Sequence, residues 1–362
     1  MTLICQLQID RLRNIECSKL EFSPTYNLIY GQNGSGKTSL LEALYILGHG
    51  KSFRGNRTQS LIQHGKDRFV LYGEALLEDH ATYNIGVEKT AYRTKIKING
   101  QRQENASELA SFFPIILVNP DSYDLVEEGP SIRRQFLDWG LFHVEQSFHE
   151  QWHTFNRCLK QRNAALKSGD PEVICRSWDT LLIESGNQVT ESRYQYLQEL
   201  KPWFEKLLAF LDYPYKVELR FIQGWDEDLN YSAVLNQSFR RDCILGHTSS
   251  GPQRADVLLE VNHKEAAEVL SRGQEKLLVA ILRLAQGLLL KEKTGKQSIY
   301  LLDDLASELD HQRRQQVYNL LDTFIHAQIF ITATEKEFLP TNSNAKSKLF
   351  HVEHGKIIVV QK

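Results

Sequence analysis

The sequence predicts an α/β fold in which a mainly helical segment interrupts a parallel-sheet framework. Three observations predict it. A short apolar strand, "YNLIYG", runs into a glycine-rich loop and then the helix "KTSLLEALYILGHG". Far downstream a second apolar strand, "QSIYLLDD", ends in paired carboxylates. Between the two lies a long stretch, from Ser131 to about Leu211, whose apolar spacing is helical.

Each element follows from local pattern. "ICQLQIDRL" alternates as a half-buried strand does. "RFVLYGEALLED", "ATYNIGVEKT" and "YRTKIKINGQR" read as an antiparallel meander, with Asn99-Gly100 supplying a hairpin turn. "FPIILVNP" is an apolar strand stopped by proline. The helical stretch reads as two long runs joined at Gly169-Asp170-Pro171, an αα-hairpin. "YKVELRFIQGW" returns to strand, "SAVLNQSFRRDCI" to helix, and "SSGPQRADVLLEVN" is a turn leading into a strand. A second α/β block closes the chain: an apolar helix after "VLSRGQEKLL", the strand "QSIYLLDD", the helix "ELDHQRRQQVYNLLDTF", the strand "AQIFITAT" and the hairpin "LFHVEHGKIIVV". The expected division is 1–120 as an N-terminal lobe, 121–245 as an inserted, mainly helical arm and 246–362 as a C-terminal lobe.

Composition narrows the function classes. The 362 residues carry 43 basic and 45 acidic side chains, a net charge of -2, and 41% are apolar. A globally basic protein is excluded; nucleic-acid binding is not, because it needs only a local patch. Five scattered cysteines form no CxxC pair, which supports neither a zinc site nor a disulfide scaffold. No charged segment followed by an apolar run opens the chain, and the run from Leu277 to Leu290 is too short to span a bilayer. The expected location is cytoplasmic, with no membrane partner.

Gly31-Gln32-Asn33-Gly34-Ser35-Gly36-Lys37-Thr38 fits G-x(4)-G-K-[ST], and it lies between a strand and a helix as that motif requires. Its backbone N–H groups and the helix N-terminus suit phosphate. Lys37 would reach the β and γ phosphates of ATP, and Thr38 would ligate Mg²⁺. Asp303 and Asp304 end their strand at the sheet's carboxyl edge, where ligands bind. Asp303 can hold the metal, and Asp304 can orient or deprotonate the attacking water. Ser271 and the backbone of Gly273 stand at a helix N-terminus, able to bind a phosphate or simply to cap the helix.

The order of these motifs resembles the ABC-type ATPase head: Walker A, insertion, signature, Walker B, D-loop. The signature LSGGQ corresponds to Leu270-Ser271-Arg272-Gly273-Gln274, and "SELD" at 307–310 to the D-loop. The fold class is thus α/β, a P-loop NTPase of ABC-ATPase head type with an inserted helical domain. Within that class the whole chain resembles the RecF family. The stretches that carry the likeness are "LRNI", "GQNGSGKTSLLEALYILGHGKSFR", "NPDSYDLVEEGPSIRRQFLD", "HTSSGPQRADV", "LSRGQEKLL" and "LLDDLASELD".

The resemblance implies that Ser271, Gly273 and Asp310 complete the nucleotide site of an opposed second copy, and that Ser271 and Lys37 join Asp304 in catalysis. It implies a weak, DNA-associated ATPase that dimerises on ATP at junctions of single- and double-stranded DNA. It further implies that the protein helps RecO and RecR load recombinase on gaps, in fork maintenance and the SOS response. The sequence departs from the pattern in places. Asn119 stands nearest the place of the metal-sensing glutamine. Thr332 and Thr334 stand where a switch histidine is expected, and Asp304 replaces a glutamate. Arg13 is a nucleotide-contact candidate by stacking or by phosphate contact, and equally reads as a surface arginine. For DNA, "GKSFRGNR" offers Lys51, Arg54 and Arg57, and "KIKINGQR", Arg133-Arg134 and Arg240-Arg241 are other candidates. The rival functions are an ABC transporter nucleotide-binding subunit and an SMC-type nuclease-associated ATPase; the length of the insert argues against both.

Overall fold

The computed structural model describes residues 2–360 apart from 56, 78–80, 104–108, 111, 306–308 and 341–345. Its contacts divide the chain into two units, residues 1–122 with 276–362, and residues 123–275.

Among the described residues, the first unit is built on two six-stranded sheets. One is antiparallel: β2 (Ile15–Glu21), β1 (Leu3–Leu12), β4 (Arg68–Leu76), β5 (Thr82–Thr90), β6 (Thr94–Ile98) and β7 (Gln101–Gln103), in that spatial order. The expected meander is β4 to β7. Its last turn is Asn99-Gly100, both at positive φ (48° and 81°), the backbone a two-residue hairpin needs.

The other sheet runs β15 (Lys356–Val360), β14 (Ser347–Glu353), β3 (Tyr26–Tyr30), β13 (Ile329–Ala333), β12 (Ile299–Leu302) and β8 (Ile115–Val118). Its strands are parallel except for the β14–β15 hairpin. Helix α1 (Lys37–His49) lies in the core that both sheets share. Leu40, Leu41, Leu44 and Leu47 are buried in one cluster with Leu7, Leu71 and Val87 of the antiparallel sheet and Ile29, Leu301 and Phe330 of the parallel one. A helix buried on nearly every face has no polar stripe, which is why "LLEALYIL" is almost wholly apolar.

The second unit contains α2 (Pro130–Val144), α3 (Phe148–Ser168), α4 (Glu172–Arg176), α5 (Asp179–Phe210), α6 (Tyr231–Leu245) and a small antiparallel sheet of β9 (Val217–Ile222), β10 (Asp256–Val261) and β11 (Lys264–Glu265). The hairpin is α3 against α5. Gly169, at φ 71°, closes α3, and Asp170 N–H donates back to Ala165 O at 3.1 Å. The fully buried Arg162 of α3 joins Asp179 of α5 and Asp242 of α6 at 2.8 and 2.9 Å.

Two expectations need correction. The first helical run is broken at Glu145, which turns extended (φ -123°, ψ 108°), so α2 and α3 are separate. The boundary before residue 246 also fails: β10 pairs along the whole of β9, which places residues 246–275 in the same unit as the helices. The second boundary falls instead in the first turn of α7 (Arg272–Thr294).

Candidate nucleotide site

The carboxyl ends of β3, β13 and β12 lie side by side, and the functional side chains of the first unit gather there. β3 delivers the glycine-rich loop. Gly31 N–H donates to Ala333 O of β13 at 3.3 Å, and Gly355 N–H donates to Ser35 O at 2.7 Å, which pins the loop from both sides. A side chain at Gly31 would meet Val352 O at 2.2 Å, so only glycine fits there. Gly36, at φ 121°, opens α1 without any side-chain cap, leaving the helix N-terminal N–H groups directed at the loop's hollow. Asn14 braces the loop: its amide donates to Ser35 O at 2.9 Å, and its oxygen accepts from the Ser39 hydroxyl at 3.1 Å. Lys37 is buried and donates to Gly31 O and Gln32 O at 2.6 and 3.1 Å. Burial lowers its pKa from the ordinary lysine value, opposed by the charges of Asp304 and Asp303.

The acidic pair is wired to the loop. Thr38 Oγ1 donates to Asp303 Oδ2 at 2.9 Å. Thr332, fully buried on the intervening strand β13, donates to Asp303 Oδ1 at 2.6 Å and accepts Asp304 N–H at 2.9 Å. One threonine therefore holds both members of the pair. Asp304 sits at φ 55°, in the left-handed region uncommon for a residue with a side chain, which turns the chain away from the path of β12.

A cleft of about 540 Å³ is lined by Arg13, Asn33, Gly34, Gly36, Lys37, Thr38, Asp303 and Asp304, with Asn14, Arg54 and His64 among its further walls. Gly31, Gln32 and Ser35 shape the loop behind that lining. Arg13 is held by Glu42 of α1, Nε and Nη2 donating at 2.8 and 2.9 Å, while Nη1 donates to Ser60 O at 2.8 Å. Glu42 also accepts from the Ser52 hydroxyl, and Ser52 Oγ accepts Arg54 N–H at 2.9 Å. This chain of contacts ties the basic turn to the helix of the phosphate loop. Arg54, read from sequence as a DNA contact, thus lines the cleft, whereas Lys51 and Arg57 are exposed and are not among its walls.

Other expected site residues lie elsewhere. Asn119 does not line the cleft. Its side-chain oxygen accepts from the Ser122 hydroxyl at 2.5 Å and its N–H donates back to Ser122 Oγ at 3.1 Å, so it closes the turn after β8. The metal role expected of it is not supported by this geometry. Ser271 and Gly273 belong to the second unit. Ser271 stands exposed just before α7, and its N–H donates to Gln274 Oε1 at 2.9 Å. Asp310 caps helix α8 (His311–Phe324) by accepting Arg313 N–H at 2.7 Å. Ser307 and Glu308 of the D-loop stretch lie outside the described residues.

Sequence reasoning named Arg13 within "LRNI" but passed over Asn14 beside it, and it passed over Glu42. An asparagine in a two-residue hairpin and a lone glutamate in an apolar helix were the available signals.

Phosphate loop, threonine-linked acidic strand end and helical insertion together define an ABC-type ATPase head. The RecF/RecN/SMC N terminal domain model matches residues 3–358. The DNA replication and repair protein RecF of Shewanella oneidensis is 42% identical over 364 residues, spanning 100% of both chains. That of Vibrio campbellii is 40% identical over 355 residues, 98% of this chain and 99% of its own. A solved structure of the recombination mediator protein RecF with ATP, from the RecFOR pathway, superposes with a TM-score of 0.87 at 28% identity, covering 99% and 98% of the two chains. The Smc head domain from Pyrococcus furiosus, at 17% identity and TM-score 0.62, shares the fold. The chain belongs to the RecF family of DNA replication and repair proteins.

Proposed function

We propose that this chain is a weak ATPase that uses ATP and Mg²⁺ to dimerise on DNA. In this reading it acts in the cytoplasm at junctions of single- and double-stranded DNA, and helps RecO and RecR seat recombinase on gaps. The observation that carries the reading is the hydrogen-bonded row Thr38–Asp303–Thr332–Asp304 beside Lys37.

The residues present fit the nucleotide and the metal. Ser35 Oγ is buried without a hydrogen-bond partner among the described residues, and the uncapped start of α1 offers free N–H groups, both suited to phosphate oxygens. Thr38 and Asp303 bring two hard oxygens together, the donor set a magnesium ion takes alongside phosphates and water. When bound, that ion neutralises charge on the phosphates. The chain's own groups supply the rest. Lys37 moves its three donors from the loop carbonyls to phosphate. Asp304, held at its backbone by Thr332, orients the attacking water and draws its proton. Arg13 presents a guanidinium fixed by Glu42 to the nucleotide. Ser271, Gly273 and Asp310 serve the site of an opposed copy, and Lys51 and Arg57 contact DNA phosphates.

The test is the protein's mass in solution with ATP and Mg²⁺, with ADP, and without nucleotide. A dimer with ATP and Mg²⁺ alone is expected; a mass that does not respond to nucleotide sinks the switch.

A further inference from the structure

Four arginines gather around one tight turn of the second unit, residues 251–255, and only two of them have a carboxylate. Arg133 is bidentate to Asp256, at 2.7 and 2.9 Å. Arg193 is bidentate to Asp138, at 2.8 and 2.9 Å, and also donates to Pro252 O at 2.7 Å. Each carboxylate is thereby matched by one guanidinium fork.

Arg134 and Arg254 are left over. Arg134, half-buried, donates Nη1 to Ala255 O at 2.8 Å. Arg254 is exposed, and its Nη2 faces His247 Nε2 at 3.5 Å, while His247 Nδ1 donates to Leu245 O at 3.0 Å. Neither has a carboxylate hydrogen-bonded to it among the described residues. Burial lowers the Arg134 pKa, with Arg193 and Arg254 adding to the lowering and Asp256 and Asp138 opposing it. Two neighbouring guanidinium groups without a carboxylate of their own favour an anion between them. The planar fork of arginine matches phosphate oxygens, and Arg134 and Arg193 anchor the backbone of the turn that carries Arg254.

We propose that Arg134 and Arg254 form a phosphate-binding site on the second unit that takes two backbone phosphates of duplex DNA. The inference rests on the DNA-binding reading above and adds a contact surface separate from Lys51 and Arg57. Phosphate oxygens also occur on ATP, so the experiment has an arm for each source.

The affinity for a short duplex is measured by fluorescence anisotropy with ATP and Mg²⁺, across a series of salt concentrations. Parent, Arg254→Gln, Arg254→Lys and the double variant Arg134→Gln/Arg254→Gln are compared. Each lost phosphate contact should lower the slope of log affinity against log salt by about 0.9, so the double variant should lose about 1.8. Arg254→Lys should keep the parental slope. ATP affinity and thermal unfolding of Arg254→Gln should match the parent, because its exposed side chain donates to no backbone carbonyl among the described residues. A parental slope in Arg254→Gln overturns the site even if the double variant is poorly folded. Lost ATP affinity with an unchanged slope assigns the phosphate to a nucleotide and overturns it as well. A parent that shows no salt-dependent binding of duplex DNA rejects the broader reading, and this one with it.

Discussion

Glu42 offers the sharpest test of how the cleft is built. Its carboxylate is 0% exposed and holds an Arg13 side chain that is 21% exposed. Glu42→Met removes the acceptor of two guanidinium bonds and of the Ser52 hydroxyl. Stripping one partner from a buried ion pair costs about 3 kcal/mol, the low end of the usual range because water still reaches Arg13. The orphaned Ser52 hydroxyl adds about 1 kcal/mol. For a unit of this size each kcal/mol moves Tm by about 2–4 °C, so the variant should melt about 8–16 °C below the parent. The double variant Arg13→Met/Glu42→Met removes both charges and keeps the Ser52 loss together with that of the Nη1 bond to Ser60 O, about 2 kcal/mol in all, so it should melt about 4–8 °C below the parent. Thermal unfolding followed by circular dichroism reads both. A single variant as stable as the parent, or a double variant no better than the single one, would refute the buried pair as the tie between β1, α1 and the basic turn. If Arg13 also meets the nucleotide, the stable double variant should bind ATP more weakly, which isothermal titration separates from the folding effect.

Four further outcomes follow from the site. Lys37→Ala should weaken ATP binding at least tenfold (roughly the worth of one charge-assisted contact) and abolish ATP-dependent dimerisation; a mutant that dimerises fully is the contrary result. Lys37 also predicts a pH dependence. Its pKa in the free protein is lowered by burial and phosphate favours the charged form, so ATP affinity should decline as pH rises through that lowered pKa; affinity flat up to the ordinary lysine range counts against this. Asp304→Asn should keep ATP binding and dimerisation while steady-state hydrolysis falls by about 10²–10⁴, and unchanged turnover removes Asp304 from the role of base. Arg54→Gln should weaken ATP binding, whereas Arg57→Gln should leave it intact and flatten the salt dependence of DNA binding; the reverse pattern would return Arg54 to the DNA surface.

The sequence disclosed what is carried by consecutive residues. The phosphate loop, the strand ending in Asp303-Asp304 and the Asn99-Gly100 hairpin each depend on neighbours a few positions apart, so their patterns are complete in short stretches. What it did not disclose depends on distant residues meeting. Thr332 was noted only as occupying the place of a histidine, yet it lies on the strand between β3 and β12 and bonds both aspartates. Arg54 follows α1 by a few residues and reads as solvent-facing charge until Ser52 and Glu42 draw the turn against the cleft. Asn119 differs in the opposite direction: its position along the chain was suggestive, but a hydroxyl three residues on bonds it locally and it is not among the walls of the cleft. The unit boundary before residue 246 failed because a strand pair, β9 with β10, bridges a helix, and such pairing leaves no mark in either strand alone.

Ser271 shows how a residue can satisfy two readings at once. A polar cluster before an apolar helix reads as a cap, and the helix does receive one. The group that supplies it is Gln274, whose side chain reaches back to Ser271 N–H in the manner of the second half of a capping box. That arrangement fixes the backbone of the stretch while the exposed Ser271 hydroxyl forms no hydrogen bond among the described residues. In most helices the serine at this position spends its own oxygen on the first turn. Here the labour is divided, with rigidity from the glutamine and a hydroxyl unengaged among the described residues at a helix N-terminus, a configuration that suits a phosphate as well as a cap. Gln274→Ala is the substitution that separates the two readings. It leaves Ser271 chemically intact and loosens only its frame. If the frame serves the opposed copy, ATP binding to the monomer should persist while ATP-dependent dimerisation weakens, as sedimentation would show. If the stretch only caps α7, the loss should appear in thermal stability alone, with dimerisation unchanged at temperatures where the protein is folded.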